Sequence, residues 1–273
     1  MNLKSLGKIT EGWESGKKMP VFFVGHGNPM NGILENETTK GWRQMAEGLK
    51  PKAILCISAH WQTRGTLVTM APNPRTIHDF GGFPKELFDV QYPAPGSPEM
   101  AREVIDQVKK VTVEEDHEWG LDHGTWTVLT KMFPEADVPV FQLSLDFRQA
   151  PQFHYELGQE LSNLREKGVL VVGSGNLVHN LRMANWNSSE PYEWNRTFDE
   201  KAKQLMERRE HEDLIHYSRL GRAAELSIPT NEHYLPMLYS LALQDDRDEL
   251  TFFNETLEMG SISMRSFVLS QTS

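Results

Sequence analysis

Residues 169–179, VLVVGSGNLVH, decide how the rest of this chain is interpreted. An apolar, β-branched run ends in small residues, and a histidine follows it. The same arrangement occurs in residues 21–27, VFFVGHG, and in residues 53–61, AILCISAHW. Runs of this composition are typical of buried strands. If the three runs are neighbouring parallel strands, their histidines lie at one edge of one sheet, where open α/β sheets bind ligands.

The histidines that follow these runs are candidate metal ligands: His26, His60 and His179. Glycines on both sides of His26 hold its ring at the sheet edge, which favours ligation over the role of a hydrogen-bonded turn residue. His60 alone is ambiguous, but it is favoured as a ligand when it is taken together with His26. His179 lies about a turn after its strand and is interpreted as either a ligand or an acid/base group.

Two further histidines occur beside carboxylates. His123 follows Asp122, which either orients the imidazole or forms a helix cap with it. His233 follows Glu232 at a predicted helix start, where a charged histidine is disfavoured because the helix N-terminus is positive. A neutral, metal-bound imidazole avoids that cost. Glu232 is either a carboxylate ligand or an ordinary capping residue.

Composition limits the function classes. The chain has 273 residues, of which 38% are hydrophobic and 24% charged, as expected for a globular protein with a substantial core. The formal net charge is −10, and the basic residues are scattered rather than clustered. Duplex-binding proteins usually carry a basic stripe, so nucleic acid is not expected as a partner.

The chain lacks the sequence signals of secretion and membrane insertion. Its single cysteine, Cys56, lies in a predicted buried strand and is expected to act as a small hydrophobe. The first 20 residues lack the apolar core of a signal peptide, and no apolar stretch approaches the ~20 residues that span a bilayer. We therefore expect a cytoplasmic protein with no membrane partner. A monomer and a homodimer both remain open.

Strands alternate with helices along the chain, which predicts an α/β layered fold. Residues 1–19 are expected to form a polar lead-in and residues 20–273 a single domain. A short helix is predicted for residues 176–184, irregular or weakly helical chain for residues 211–228, and single strands for residues 138–145 and 262–269.

Three histidines on polar stretches are expected to be exposed and to have no function: His154, His211 and His216. Several common catalytic motifs do not occur in the sequence. It contains no P-loop, no His-Glu-x-x-His, no cysteine pair with zinc spacing and no Gly-x-Ser-x-Gly elbow. The candidate chemistry therefore depends on the other histidines.

Seven segments are recognisable as a set, in order from about residue 20 to 265. They are residues 25–30 (GHGNPM), 58–61 (SAHW), 76–84 (TIHDFGGFP), 92–96 (YPAPG), 119–124 (WGLDHG), 175–180 (GNLVHN) and 232–236 (EHYLP). Together they resemble the class III extradiol ring-cleavage dioxygenases, and most closely the 4,5-DOPA extradiol dioxygenase subgroup in its bacterial form.

This resemblance implies a single three-layer αβα domain with a mostly parallel or mixed central sheet. It implies one mononuclear non-haem divalent metal ion and cleavage of a catechol, such as L-DOPA, beside its two hydroxyls with O₂. Fe²⁺ is the metal expected for activity, and a site built from histidines also suits Zn²⁺.

The resemblance also assigns roles to individual residues. His26 and His60 correspond to metal ligands, and His233 and His179 to the remaining metal-facing groups, with Glu232 as an alternative third ligand. His123 and His179 resemble the histidines that handle protons.

Three further residues are expected to contact the substrate: Asn28, His78 and Tyr234. Asn28 stands where relatives often carry Ser. The loop around His78 is a candidate wall or lid for the aromatic ring, although its aromatic residues are equally consistent with packing under a long loop.

Two other functions fit the same residues. A zinc hydrolase would use these histidines to activate water. A non-catalytic metal-binding protein would use them only to hold an ion, since a fold does not by itself determine a function. Activity on catechols, compared with esters and amides, separates these alternatives.

Overall fold

The computed structural model describes residues 18–188 and 190–271. Residues 1–17 of the predicted lead-in lie outside the described residues. The boundaries of the single domain expected from residue 20 onward stay a prediction.

Twelve strands are present in the described part of the chain. They are β1 (Val21–Gly25), β2 (Ala53–Ser58), β3 (Gln62–Thr63), β4 (Thr66–Thr69), β5 (Val113–Asp116), β6 (Val140–Gln142), β7 (Leu145–Asp146), β8 (Val169–Gly175), β9 (Asp248–Phe253), β10 (Leu257–Glu258), β11 (Ile262–Ser263) and β12 (Ser266–Gln271).

Nine α-helices accompany the strands in residues 18–188 and 190–271. They are α1 (Glu37–Ala46), α2 (Lys85–Phe88), α3 (Pro98–Gln107), α4 (His123–Met132), α5 (Pro151–Glu160), α6 (Glu193–Glu207), α7 (His211–Ile215), α8 (Arg222–Ser227) and α9 (Leu235–Ala242). Short 3₁₀ turns occur at Pro29–Gly32, Ser162–Arg165, Leu181–Met183 and Tyr217–Leu220.

The central sheet has six strands in the order β6-β2-β8-β1-β12-β9. The first four are mutually parallel, whereas β12 is antiparallel to both β1 and β9. The three histidine-bearing runs are therefore neighbours. Ser174 of β8 pairs with Ser58 of β2, and Gly175 pairs with Gly25 of β1, so the carboxyl ends of the three strands are level.

Helices cover both faces of this sheet. Alternate residues of each parallel strand enter one of two apolar cores, because successive side chains point to opposite faces. On one face, Val21, Leu55 and Val171 pack with helices α3, α5, α6 and α9. On the other face, Phe22 and Val172 pack with α1 and α4. The prediction of a three-layer αβα fold with a mixed sheet is confirmed.

Three predicted elements differ in the structure. Residues 176–184 form only the 3₁₀ turn Leu181–Met183, because the backbone of His179 bridges to Ile262 instead of starting a helix. The expected strands also differ, whereas residues 211–228 adopt the helical alternative of their prediction, as α7 and α8. The expected strands at 138–145 and 262–269 are each divided in two, since one half of each, β7 and β11, pairs outside the central sheet, with β3 and β10.

None of the three histidines expected at the surface is fully exposed, and His216 is half-buried beside Glu212. His154 is fully buried, and its Nδ1 lies 3.1 Å from the hydroxyl of Tyr239 on α9. His211 is half-buried, with its Nδ1 2.9 Å from the hydroxyl of Tyr155. Both helices looked polar in sequence, but each lies against another helix. Within the described residues, no helix has the length and apolar character needed to cross a bilayer.

Candidate metal centre

Five histidines meet in one cavity at the carboxyl ends of β1, β2 and β8. The cavity has a volume of about 200 Å³. His26 and His60 follow β1 and β2, His179 follows β8, His123 begins α4, and His233 precedes α9. The cavity is lined by His26, Gly27, Asn28, Pro29, His60, Phe80, Phe83, His123, His179, Leu181, Trp186, His233, Met259 and Ile262.

The ring of His26 is oriented by a serine of the neighbouring strand. Its Nδ1 lies 3.0 Å from Oγ of Ser174, whose hydroxyl donates to the carbonyl of Gly124 at 2.5 Å. The oxygen of Ser174 therefore accepts the Nδ1–H of His26. This assignment leaves the Nε2 lone pair of His26 free, 3.2 Å from Nε2 of His60.

Asp79, on the loop before α2, connects His60 with His123. Its Oδ2 lies 3.6 Å from Nδ1 of His60 and 2.9 Å from Nδ1 of His123, the latter a close but poorly directed contact. The backbone N–H of His123 donates to Oδ1 at 2.9 Å. Burial alone would raise the pKa of Asp79, but its contacts with His123 lower the pKa below its ordinary value.

Glu232 and His179 flank His233. Oε1 of Glu232 accepts from Nδ1 of His233 at 3.0 Å and from the hydroxyl of Thr230 at 3.0 Å. The ring of His179 stacks on that of His233, with centroids 3.5 Å apart and an angle of 10° between the planes. The carboxylate thus holds the outer nitrogen of His233, which directs Nε2 away from Glu232.

Two glycines allow the close approaches that bring the histidines together. A Cβ on Gly175 would lie 2.1 Å from the carbonyl oxygen of His233, so only glycine lets this loop lie against the end of β8. A Cβ on Gly124 would lie 2.5 Å from Oγ of Ser58 and 2.9 Å from the ring of His60. Any larger residue at either position would displace a histidine.

A buried carboxylate anchors the base of the site. Asp122 accepts from the hydroxyl of Ser58 at 2.6 Å and from the side-chain amide of Gln142 at 2.7 Å. The backbone N–H of Thr125 donates to the same carboxylate, so Asp122 also caps α4. Burial raises its pKa, and the nearby Asp79 adds to that effect. Of the two roles considered for Asp122, the helix cap is therefore the one observed. The carboxylate that contacts Nδ1 of His123 is instead that of Asp79.

Burial keeps the clustered imidazoles neutral. It lowers the pKa of His26 well below 6.5, and the neighbouring histidines lower it further. The same effects act on His233, and burial with the proximity of His123 lowers the pKa of His60 to about 3. Burial lowers the pKa of His179 to about 4. Neutral imidazole is the form that binds metal ions.

The donor set fits a single divalent ion. One ligand atom from each of His26, His60 and His233 lies within 4.8 Å of the others. Two nitrogens bound at about 2.0–2.1 Å to one ion, with angles of about 90–110° between them, are about 2.9–3.4 Å apart. The Nε2 atoms of His26 and His60 are 3.2 Å apart, which matches this requirement.

The same region contains two other groups of potential ligands. His60 groups with Asp79 and His123, and His179 groups with Glu232 and His233. Both groups share a residue with the first, so all three belong to one centre.

Of the three residues expected to contact substrate, one lines the cavity. Asn28 does so, while its side chain also accepts from the N–H of Met30. His78 lies behind the wall, where Nε2 contacts the carbonyl of Val90 at 3.0 Å and Phe80 packs in front. Tyr234 is buried in the opposite direction, and its hydroxyl donates to the carbonyl of Leu214.

The positions of His78 and Tyr234 correct the expectation drawn from their neighbours in sequence. Tyr234 follows His233 directly, but the chain enters α9 there and adjacent side chains diverge. Sequence reasoning also missed Asp79 and Ser174, which orient the histidines. Two signals in the sequence could have found them. Asp79 is a carboxylate within a loop of aromatic residues, and Ser174 lies between two glycines at the end of a strand.

The chain is similar to known proteins over most of its length. Residues 20–259 match the family described as the catalytic LigB subunit of aromatic ring-opening dioxygenase. The 4,5-DOPA dioxygenase extradiol of Escherichia coli (strain K12) is 45% identical, with 92% of this chain and 95% of that protein aligned. The protein of the same name from Beta vulgaris is 34% identical, with 92% and 97% aligned.

A solved structure shares the fold. The crystal structure of an uncharacterized protein from Escherichia coli K12 superposes with a TM-score of 0.82 at 40% identity, covering 93% of this chain and 100% of that one. The family and the histidine cluster together support a metal cofactor. With its sheet, its cavity and the family match over most of its length, the chain belongs to the aromatic ring-opening dioxygenases of the LigB family.

Proposed function

We propose that this chain is an extradiol ring-cleaving dioxygenase, which opens a catechol such as L-DOPA next to its two hydroxyls with O₂. The observation that carries the proposal is a set of neutral imidazoles, from His26, His60 and His233, around one point in a cavity of aromatic-ring size. The named relatives from Escherichia coli and Beta vulgaris support the choice of reaction.

In this proposal His26, His60 and His233 hold the metal through their Nε2 atoms. Glu232 is the outer partner of His233 rather than the third ligand, because its Oε1 contacts Nδ1 of His233 and because the group of ligand atoms around His26 and His60 includes His233 but not Glu232. His179, stacked on His233, faces the same cavity without belonging to the ligand group of His26 and His60. Fe²⁺ is the ion proposed for activity, and Zn²⁺ fits the same nitrogens.

When bound, ferrous ion supplies a Lewis acid for both catechol oxygens and a route for electrons from the catecholate to O₂. Both oxygen atoms enter the ring-opened product, a muconic semialdehyde, so the overall reaction needs no other oxidant or reductant. The part played by the protein is to orient the ring, to exclude water and to move protons.

His123 is the proposed proton carrier. It lines the cavity, and Oδ2 of Asp79 is 2.9 Å from its Nδ1. A carboxylate at that nitrogen stabilises the imidazolium that forms when the ring accepts the proton of a catechol hydroxyl. The same imidazolium can return the proton to an oxygen later in the reaction. His179, which also lines the cavity, is the second group within reach of a bound diol.

The apolar walls position the aromatic ring. Phe80 packs edge-on against His123 with centroids 5.5 Å apart, and Phe83 packs edge-on against Phe80. Phe80 and Phe83 line the same cavity as Asn28, Pro29 and the five histidines. Water is excluded from such a cavity when a ring occupies it.

The test is O₂ uptake by protein reconstituted anaerobically with Fe²⁺ and then mixed with catechol or L-DOPA. We expect one O₂ consumed per catechol and a yellow product. Protein loaded with Zn²⁺ should consume none. Hydrolysis of esters or amides by the zinc form, without O₂ uptake by the iron form, would instead identify a zinc hydrolase.

The proton roles are tested by His123→Ala and His179→Ala. Each should lower turnover by about 10²–10⁴-fold while the metal content stays normal. Loss of the metal from either variant would make that histidine a ligand and would overturn its assignment here.

A further inference from the structure

Residues 181–188 contribute the most exposed part of the lining of the histidine cavity. Trp186 is 64% exposed and Leu181 is 52% exposed, whereas the other lining residues are buried or half-buried. Met183, in the same segment, is 37% exposed. Large apolar side chains clustered at a concave opening indicate a surface that is covered when the protein functions.

This segment is not packed on the body of the protein. Among the described residues, Leu181, Met183 and Trp186 belong to neither apolar core and do not pack against one from outside. The 3₁₀ turn Tyr217–Leu220 is a useful contrast, because both of its terminal side chains pack against a core. A segment with few apolar contacts opens at a lower cost in free energy than its surroundings do.

The segment is attached to the rest of the chain mainly through one turn, residues 259–261. Three backbone N–H groups in and beside it donate to the three successive carbonyls of this turn. The pairs are Asn180 with Ser261 at 3.1 Å, Asn185 with Met259 at 2.8 Å and Tyr192 with Gly260 at 2.9 Å. Within the described part of the chain, the bond of Asn185 is the one that joins residues 181–188 to a residue distant in sequence. The turn is therefore the attachment about which the segment can move.

The same turn contains backbone strain. Met259 has a φ of 50°, a left-handed conformation that side chains other than glycine adopt at a cost, and Gly260 follows with a φ of 74°. Strained backbone of this kind occurs preferentially at ligand clamps and switch regions. Because Met259 also lines the cavity, the turn contacts both the site and the segment.

We propose, on the basis of the ring-cleaving function proposed above, that residues 181–188 form a lid that closes over the cavity when a catechol is bound. The bound ring supplies apolar surface beside Trp186 and Leu181, and closure removes these side chains from water. The closed lid excludes water from the histidines while the ring reacts. It acts on the catechol ring itself, whatever substituent the ring carries.

The peptide bond after Arg182 reports opening of the lid. Arg182 is exposed, and trypsin cleaves after it only when the segment detaches far enough to enter the protease. The protein is loaded with Zn²⁺, so that it binds catechol without turnover. Saturating catechol should slow this cleavage about tenfold, the factor expected for burial of one large apolar side chain.

The bond after Arg219 is the matched control. Arg219 is also exposed and also lies in a 3₁₀ turn, but that turn packs against a core and does not line the cavity. Its cleavage should change less than about twofold on addition of catechol, because its local opening is independent of the cavity. Equal protection of both bonds, or protection of neither, would overturn the lid.

The indole of Trp186 gives a second measurement. The chain has seven tryptophans, so the emission of residue 186 is obtained by subtracting the spectrum of Trp186→Phe. Catechol should shift this difference spectrum to shorter wavelengths, because the indole loses contact with water. An unshifted spectrum at catechol concentrations that saturate binding in calorimetry would contradict closure.

Variants separate a lid from a fixed wall. Leu181→Ala and Trp186→Ala should each weaken catechol binding to the zinc form about three- to tenfold and reduce the protection of the bond after Arg182. Phe147→Ala is the matched control, since Phe147 has the same 52% exposure as Leu181 and lies outside the cavity. It should bind catechol as the original chain does. Weaker binding with full protection in both lid variants would indicate a fixed wall and would overturn the lid.

Failure of the lid and failure of the ring-cleaving function give different results. Protection of the bond after Arg182 in the zinc form, without O₂ uptake by the iron form on any catechol, would sink the ring-cleaving function and leave the lid standing. O₂ uptake with catechol, without protection of this bond, would keep the reaction and remove the lid.

Discussion

Two kinds of buried polar cluster occur in this protein, and they differ in how their charges are matched. Arg165 is fully buried, and its guanidinium makes a two-pronged ion pair with Asp248 at 2.6 and 2.7 Å. Two carbonyls, of Met19 and Leu243, accept from Nε and Nη1. Every nitrogen of the guanidinium thus donates to at least one acceptor.

The histidine cluster is the opposite case. The rings of His26, His60 and His233 lie with centroids 4.9–5.2 Å apart, and each is held by a partner at its outer nitrogen. Their inner nitrogens face one another rather than an opposite charge. The arginine cluster is thus matched in charge by itself, so that removing one partner would destabilise the fold, whereas the histidine cluster is completed by a cation.

The strongest test of this difference is removal of one inner nitrogen. His60→Ala should weaken Zn²⁺ binding about a hundredfold or more, since an apparent binding energy of about 10 kcal/mol or more is shared among three or four ligands. Affinity is measured by competition with a chromogenic chelator. His117→Ala, which removes an exposed histidine paired with Glu115, is the control and should bind normally. Unchanged affinity in His60→Ala would remove His60 from the ligand set.

Breaking the arginine cluster should instead act on folding. Asp248→Asn leaves the buried charge of Arg165 uncompensated and should lower the free energy of unfolding by about 3 kcal/mol. The measurement is urea denaturation of the metal-free protein. The matched control is Asp89→Asn, which breaks an exposed pair with Lys85 and should cost less than about 0.5 kcal/mol.

The two clusters should respond independently. If the Asp248→Asn variant folds, it is expected to bind Zn²⁺ with unchanged affinity. Asp248 begins β9, and its pair with Arg165 lies at the opposite end of the sheet from the histidines. A loss of metal affinity comparable to that of His60→Ala would show that the clusters are coupled and would contradict the separation drawn here.

The sequence predicts the histidine cluster better than the arginine cluster. A histidine directly after a buried apolar strand can lie only at the sheet edge, so the sequence alone places His26 and His60 there. Arg165 and Asp248 are separated by 83 residues, and neither stands in a distinctive pattern. Only the folded chain shows that they meet.

The sequence also did not predict how the side chains of the site are oriented. Asp79 and Ser174 act through contacts made across the chain, to His123 and His26. Tyr234 was misplaced because sequence proximity to His233 says nothing about the direction of a side chain at a helix start. His154 was expected at the surface because its helix, α5, carries polar residues, yet one face of that helix packs on α9.

Removal of the hydrogen bond from His26 to Ser174 should have a smaller effect on the histidine cluster. Ser174→Ala removes the acceptor that holds the N–H on Nδ1, and Zn²⁺ affinity should fall about 10–100-fold. Ser240→Ala is the control, because this buried serine donates to the carbonyl of Phe22 and touches no histidine. Both variants should lose similar stability, about 1 kcal/mol, but only Ser174→Ala should lose metal affinity. Equal affinities would show that Ser174 does not orient the ligand.

The smallest expected effect is on the pH dependence of stability in the metal-free protein. Burial lowers the pKa of His60 to about 3, whereas an unfolded histidine titrates near 6.5. As the pH falls from 6.5 toward 3, the unfolded chain binds a proton at His60 that the folded chain does not. Stability is therefore lost on acidification, by up to about 1.4 kcal/mol per pH unit for each such histidine.

His60→Ala should reduce this slope by up to one proton in urea titrations between pH 6 and pH 4.5. Asp89→Asn, whose exposed pair with Lys85 lies outside the cluster, should keep the slope of the original chain. The same slope in His60→Ala as in the original chain would mean that His60 is protonated in the folded state, through Asp79, and that the cluster is not neutral. That outcome would erase the contrast with Arg165, because both clusters would then hold matched charges.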